Sequence, residues 1–303
     1  MPIRLTNYSR TYRNHLPFGH YDLIIVSLVH QGPEMVEYMA NNLAKYVKGN
    51  FLWIVHYNNE QYIDENTLPA WVWLVRDTIQ TARPSRLLLM AINQALKFSL
   101  VNVSSTNVMT LSSGSAFFRE FIVPTTSKVS LISHEVKIDP NKCYAHIQEI
   151  DVSHLGKCAE YLKSVGSFGW QYGFGGDSDI VFHKLVKNRQ FKYLRGAQWS
   201  GQIWPYDVAR MLVEDLSDLD SSNLHLELKY ATEELYLSTY AYNYAICNGL
   251  PIDFLEVIID WNSGYEVKSM GYIEKLRGGY SDGSAVCKLS DNISDIVREY
   301  LLI

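Results

Sequence analysis

The chain has little cysteine, and none of it is arranged for chemistry. Cys143, Cys158, Cys247 and Cys287 are scattered over 303 residues, with no CxxC pair and no histidine at metal-ligand spacing. That pattern indicates neither a disulfide framework nor a zinc site and fits a reducing compartment. Long apolar runs are missing too: nothing reaches the roughly 18 residues needed to cross a bilayer. Residues 1–20 carry Arg4, Arg10 and Arg13 but no apolar segment of a signal peptide. Basic charge is in deficit, with 27 Lys and Arg against 32 Asp and Glu, a formal net charge of −5 and a pI of about 6.0. A nucleic-acid binder ordinarily shows the opposite balance. Internal repeats, low-complexity tracts and a convincing linker are absent as well, so a single domain over residues 1–303 is expected.

What is present is apolar and aromatic. The hydrophobic fraction of 47% is ample for a packed core, and 21 Tyr and 7 Trp stand beside only 19% charged residues. Carbohydrate-handling proteins show this bias because sugar C–H faces stack on aromatic rings, although core packing accounts for many such rings equally well.

Hydrophobic periodicity alternates between buried strands and amphipathic helices. Residues 22–29 form a continuous apolar run that ends at His30-Gln31-Gly32-Pro33, the pattern of a buried parallel strand meeting a loop. Helical spacing follows over 34–48, then an apolar strand over 51–56 before Tyr57-Asn58-Asn59. A third strand is expected over 71–75, a helix over 85–98 opened by Pro84, and a fourth strand over 107–111 running into Ser112-Ser113-Gly114-Ser115. Beyond that, 128–138 and 143–150 read as strands, and 206–216, 232–248 and 292–302 as helices. The alternation predicts an α/β, doubly wound, mostly parallel sheet flanked by helices, with ligands beyond the C-terminal strand ends, where His30, Asn58, Arg76 and Ser113 converge.

Ile25 to His30 with Glu34-Met35, followed by Ile54-Val55-His56-Tyr57-Asn58, resembles the first strand and helix of the core-2/I-branching N-acetylglucosaminyltransferases and their xylosyltransferase and bacterial relatives and then that family's strand ending in His-x-Asp, with Asn58 in place of Asp. Ser85-Arg86, with Ala91 and Ala95-Leu96, resembles the next helix. Leu111 to Gly114 resembles a Ser/Cys-Gly turn, with Ser115 where an Asp is usual. Gly196-Ala197-Gln198-Trp199 is similar to a Gly-Ser-x-Trp/Tyr strand beside the acceptor, Thr232 to Tyr236 to a Pro-Asp-Glu-Phe/Tyr-Phe signature, and Val286 to Leu289 to an Ala-x-Lys-Phe ending.

The resemblance implies a GT-A-like fold and an inverting, metal-independent transfer of sugar from a nucleotide diphosphate, a UDP-sugar in most relatives, with no cofactor. It places the general base on Glu234 and the diphosphate grip on Lys288. Donor contacts are expected from His30, Asn58, Ser85, Arg86, Ser113, Lys275 and Arg277, and acceptor contacts from Trp199 and Glu233. Residues 1–125 become the nucleotide-sugar half and 126–303 the acceptor and catalytic half. An Arg that relatives carry near 255–261 is missing here, and Lys268, Lys275 or Arg277 stand in as substitutes. The setting implied is cytoplasmic synthesis of bacterial surface polysaccharide or lipopolysaccharide, on an oligosaccharide or lipid-linked acceptor reached by peripheral contact with the inner face of the membrane.

Simple chemistry supports such roles without requiring them. Inverting transfer needs one carboxylate to take the acceptor proton, and a departing diphosphate needs a metal or fixed cations. Glu233 and Glu234 would also serve as ordinary acidic residues of a helix's first turn. Two other readings stay open: a metal-dependent transferase using Asp177-Ser178-Asp179, a literal DxD after a glycine-rich stretch, and an inactive nucleotide- or sugar-binding module.

Overall fold

The computed structural model describes residues 17–76, 88–132, 150–151, 180–195, 197–222, 232–255, 274, 278, 284–289 and 296–303. In chain order the elements are β1 (His20–Val29), α1 (Pro33–Tyr46), β2 (Val47–Lys48), β3 (Phe51–Tyr57), β4 (Val72–Arg76), α2 (Leu88–Asn102), β5 (Ser104–Ser112), β6 (Ser115–Phe117) and β7 (Phe121–Ile122). They continue with β8 (Val129–Ile132), β9 (Ile150–Asp151), α3 (Ile180–Arg189), β10 (Tyr193–Leu194), β11 (Gln198–Pro205), α4 (Tyr206–Ser222), α5 (Thr232–Asn248), β12 (Ile252–Leu255), β13 (Val286–Lys288) and α6 (Ile296–Leu302).

A seven-stranded sheet runs in the order β12-β8-β11-β5-β1-β3-β4. Every adjacent pair in it is parallel except those that β11 makes with β5 and β8. The expected α/β, mostly parallel sheet flanked by helices is therefore what the chain forms. An interior strand shows why: in β1, Ile24, Val26 and Leu28 point into one core and Leu23, Ile25 and Val29 into the other. Both faces must be covered, and a continuous apolar strand follows from that requirement. α2, α4 and α5 cover the first face; α1 and α6 cover the second.

The winding fixes where a ligand can enter. From β1 the chain steps outward through α1 to β3 and then β4, and returns through α2 to β5 on the opposite side of β1. Because α1 and α2 lie on opposite faces, the chain diverges between the ends of β1 and β5 and leaves a crevice there. Reversal of β11 adds to this edge: its first residues meet the end of β8, and Ser200 reaches the end of β5. The short β13 pairs with β6, setting Lys288 opposite Ser115 at the same edge.

Candidate active site

The β1–α1 turn forms one wall of the crevice. Gly32 has φ 132°, a conformation that side chains with a Cβ avoid, and Pro33 then starts α1, where its missing N–H costs nothing. This sharp turn lets Gln31 fold across the crevice. Its Nε2 donates to Ser113 Oγ at 2.8 Å, and its Oε1 accepts from the His30 backbone N–H at 3.2 Å. The His30 carbonyl accepts from Asn59 Nδ2 at 2.9 Å, and the Asn58 N–H donates to the Val29 carbonyl at 3.3 Å. His30 and Asn58, both half-buried, are thus held at adjoining strand ends. His56 lies one residue short of the end of β3 and is wholly buried.

Small hydroxyl side chains line the floor. Ser115 Oγ lies 2.8 Å from both Ser112 Oγ and Ser200 Oγ, and Ser200 Oγ accepts from the Ser112 N–H at 2.9 Å. Ser113, on the turn between β5 and β6, is fixed from behind by Arg298, whose guanidinium donates to its carbonyl at 3.0 Å and lies over the Tyr38 ring. The Leu289 N–H donates to the Gly114 carbonyl at 2.6 Å, which ties the strand carrying Lys288 to the serine turn. Lys288 is half-exposed and stands at the mouth.

The acidic first turn of α5 closes the far side. The Glu234 carbonyl accepts from the Ala197 N–H at 3.2 Å and from Ser238 Oγ at 2.8 Å. Gln202 then locks helix to strand, donating to Ser238 Oγ at 3.0 Å and to the Gln198 carbonyl at 2.9 Å. Glu233 and Glu234 are both buried, at 4% and 2% exposure. Burial pushes the Glu233 carboxyl up to about 7, against a hydrogen bond from its own backbone and the positive charge of Lys288, which both pull it down. A carboxyl so placed exchanges a proton near neutrality, as general acid–base groups do.

Of the residues singled out in the sequence, His30, Asn58, Ser113, Lys288, Glu233 and Glu234 come to this one edge. Trp199 reaches it through its backbone carbonyl, which accepts from Thr110 Oγ1, but its ring is buried in the core on the α2, α4 and α5 face and offers no exposed floor for a sugar. Ser85, Arg86, Lys268, Lys275, Arg277, Asp177 and Asp179 lie outside the described residues. Gln31, Ser200 and Arg298 are contributors that the sequence reading passes over. Gln31 directly follows His30 at the strand end and was open to notice. Ser200 and Arg298 act across 85 and 185 residues of chain and carry no local signal.

Among the described residues no three His, Cys, Asp or Glu side chains assemble as a metal site. Nor is any helix among them long and apolar enough to cross a membrane. Serine hydroxyls and the Gln31 side-chain amide meet at this edge, with Lys288 opposite Ser115 and the buried Glu233 carboxyl within reach of its charge. Such an edge can hold an anion and accept a proton.

No family model matches the chain, and no curated protein matches it. Solved structures do, among them the crystal structure of S. aureus TarS, at 12% identity and a TM-score of 0.31. That alignment covers 73% of this chain and 34% of the other, so this chain spans about a third of that structure's length. A likeness so slight leaves function to be argued from the site.

Proposed function

We propose that this chain is an inverting glycosyltransferase that moves a sugar from a nucleoside diphosphate to a glycan acceptor without a metal ion. One observation carries the proposal: at the switch point of a doubly wound sheet, the hydroxyls of Ser112, Ser113, Ser115 and Ser200 gather beside Lys288, whose charge reaches the buried Glu233 of an acidic helix turn. Crevices at such switch points are where open α/β sheets bind nucleotides. The ordered motifs of the core-2/I-branching resemblance supply the roles.

The donor diphosphate lies along Ser113 to Ser115, with its leaving oxygens toward Lys288, and the nucleoside lies over the ends of β1 and β3 near His30 and Asn58. Ser85, Arg86, Lys275 and Arg277 complete the donor contacts. Glu234 takes the acceptor hydroxyl proton as that oxygen forms its bond to the anomeric carbon. The bond to the diphosphate breaks on the opposite face, and an α-linked donor gives a β-linked product. The electron pair departs on the diphosphate, whose added charge Lys288 stabilises as a fixed positive group. Residues 1–125 chiefly bind the nucleotide sugar, and 126–303 bind the acceptor and supply Glu234 and Lys288; the acceptor is a surface glycan or its lipid-linked precursor assembled on the cytoplasmic side of a membrane.

Glu234→Gln is expected to lower kcat by about 10²- to 10⁴-fold, the range for losing a general base, with nucleotide affinity nearly unchanged. Kinetics of sugar transfer from the donor identified by nucleotide binding check this. A mutant that retains full kcat removes Glu234 from the reaction.

A further inference from the structure

We infer that Gln31 is a positioning residue of the donor site: by donating to the Ser113 hydroxyl, its side-chain amide commits that hydroxyl's own proton to an oxygen of the donor diphosphate. The inference rests on the donor site proposed above and adds to it a residue that acts through Ser113.

The backbone sets the polarity of the Gln31 amide. The His30 N–H can only donate, so the atom it meets at 3.2 Å is Oε1, and Nε2 is left to face Ser113 Oγ, 2.8 Å away. The His30 peptide is held at its other end as well: its carbonyl accepts from Asn59 Nδ2, and Asn59 Oδ1 accepts from the Gln61 N–H at 2.8 Å. Gly32 and Pro33 then fix where the chain leaves for α1. An amide so anchored cannot turn over without leaving a backbone donor unserved.

Ser113 Oγ must therefore accept from Gln31. A hydroxyl has one proton to give, and the accepted bond turns that proton away from Gln31. Among the described residues the bond from Gln31 is the only one that Ser113 Oγ makes, and Ser113 is buried, at 4% exposure. The bond spans the ends of β1 and β5, the two strands between which the crevice opens, so the proton meets whatever enters there. Neighbouring serines differ. Ser112 and Ser200 each bond Ser115, and in both pairs either oxygen can donate, so nothing fixes where their protons point. A buried O–H aimed in advance suits an acceptor that carries negative charge, as a phosphate oxygen does.

Substitution at Gln31 separates this role from that of a plain strut between two turns. Gln31→Glu keeps the shape, the acceptor for His30 and a hydrogen bond to Ser113, but its carboxylate takes the hydroxyl proton for itself. Gln31→Met removes the bond and leaves the proton free for the ligand. A strut predicts the reverse, because Glu still braces the turn and Met does not.

Titration calorimetry with UDP, GDP, CDP and dTDP identifies the tightest binder, and displacement titrations then follow it into the weaker variants. The quantity to read is the cost of Ser113→Ala in each background. In the wild type it should be about 10- to 100-fold, the range for one hydrogen bond to a charged group. It should persist in Gln31→Met and fall to no more than about twofold in Gln31→Glu, where the proton is already lost to the ligand. Repulsion between the new carboxylate and the diphosphate is common to Gln31→Glu with and without Ser113 and cancels. Gln31→Met by itself should weaken binding about threefold, because the proton is no longer aimed. A cost that persists in Gln31→Glu, a cost that is lost in Gln31→Met, or a Gln31→Met or Ser113→Ala that binds as tightly as the wild type overturns the inference, while the donor site stands if Lys288→Ala still weakens binding. If no diphosphate binds, or Lys288→Ala binds as well as the wild type, both fail. Should one Gln31 variant not fold, the other decides alone, since the two roles make opposite predictions for each.

Discussion

A carboxyl buried at the start of a helix is costly to ionise, and Glu233 shows the consequence for stability. Its folded-state value of about 7 is above the ordinary carboxylate value, so between those two limits the folded chain binds more protons than the unfolded one. Stability from this group is therefore fully present at acid pH and is lost as pH rises through 7. Glu233→Gln should raise Tm at pH 8 and leave it nearly unchanged at pH 4.5; equal shifts at both would show that the burial cost is absent. Much of the site was legible at this scale where residues sit at strand ends, as His30, Asn58 and Ser113 do. Glu233 and Glu234 could be named from the resemblance, but sequence gave no reason to separate their environments. The positive charge that acts on Glu233 belongs to Lys288, 55 residues further along the chain.

Elements carry the next set of expectations. Gly32 bends β1 into α1 at φ 132°, and a Cβ there would lie 2.7 Å from Gln61 Oε1. Gly32→Ala should cost about 1–3 kcal/mol, read as a lower midpoint in urea, and should weaken nucleotide binding because Gln31 no longer reaches Ser113. Further from the site, Arg189 on α3 donates through Nε and Nη2 to the two carboxylate oxygens of Asp215 at 2.8 and 3.0 Å, and Tyr240 on α5 donates to the same carboxylate at 2.5 Å. Asp215→Ala removes the acceptor that joins three helices and should cost about 2–3 kcal/mol with nucleotide affinity intact. The strands and helices of the first half were readable because each is buried on a regular period. The strand over 51–56 and the helix over 232–248 match β3 and α5 to within a residue. β12 was not readable: Ile252–Leu255 is half-exposed and too short for alternation to register. α3, of ten residues, has weak amphipathic character and was likewise passed over. Residues 133–149 of the expected second-half strands lie outside the described residues.

At the scale of the whole molecule, the outward run β1, β3, β4 and the return to β5 place the crevice, and the reversed β11 brings the second half of the chain to it. The strand–helix alternation announced the first feature. The second depends on long-range pairing, such as Ile203 with Met109, that no local pattern encodes. The central claim is that this crevice binds a nucleoside diphosphate through Lys288 with no metal ion. It is tested most directly by the melting temperature of the wild type and Lys288→Ala with UDP, GDP, CDP and dTDP, in EDTA and in manganese, since a ligand that binds only the folded state raises Tm. A rise with at least one diphosphate in EDTA, lost in Lys288→Ala, is the expected result. A rise that requires manganese would transfer the diphosphate to a metal, with Asp177 and Asp179 as the ligands to test, and no rise with any nucleotide would contradict the claim altogether.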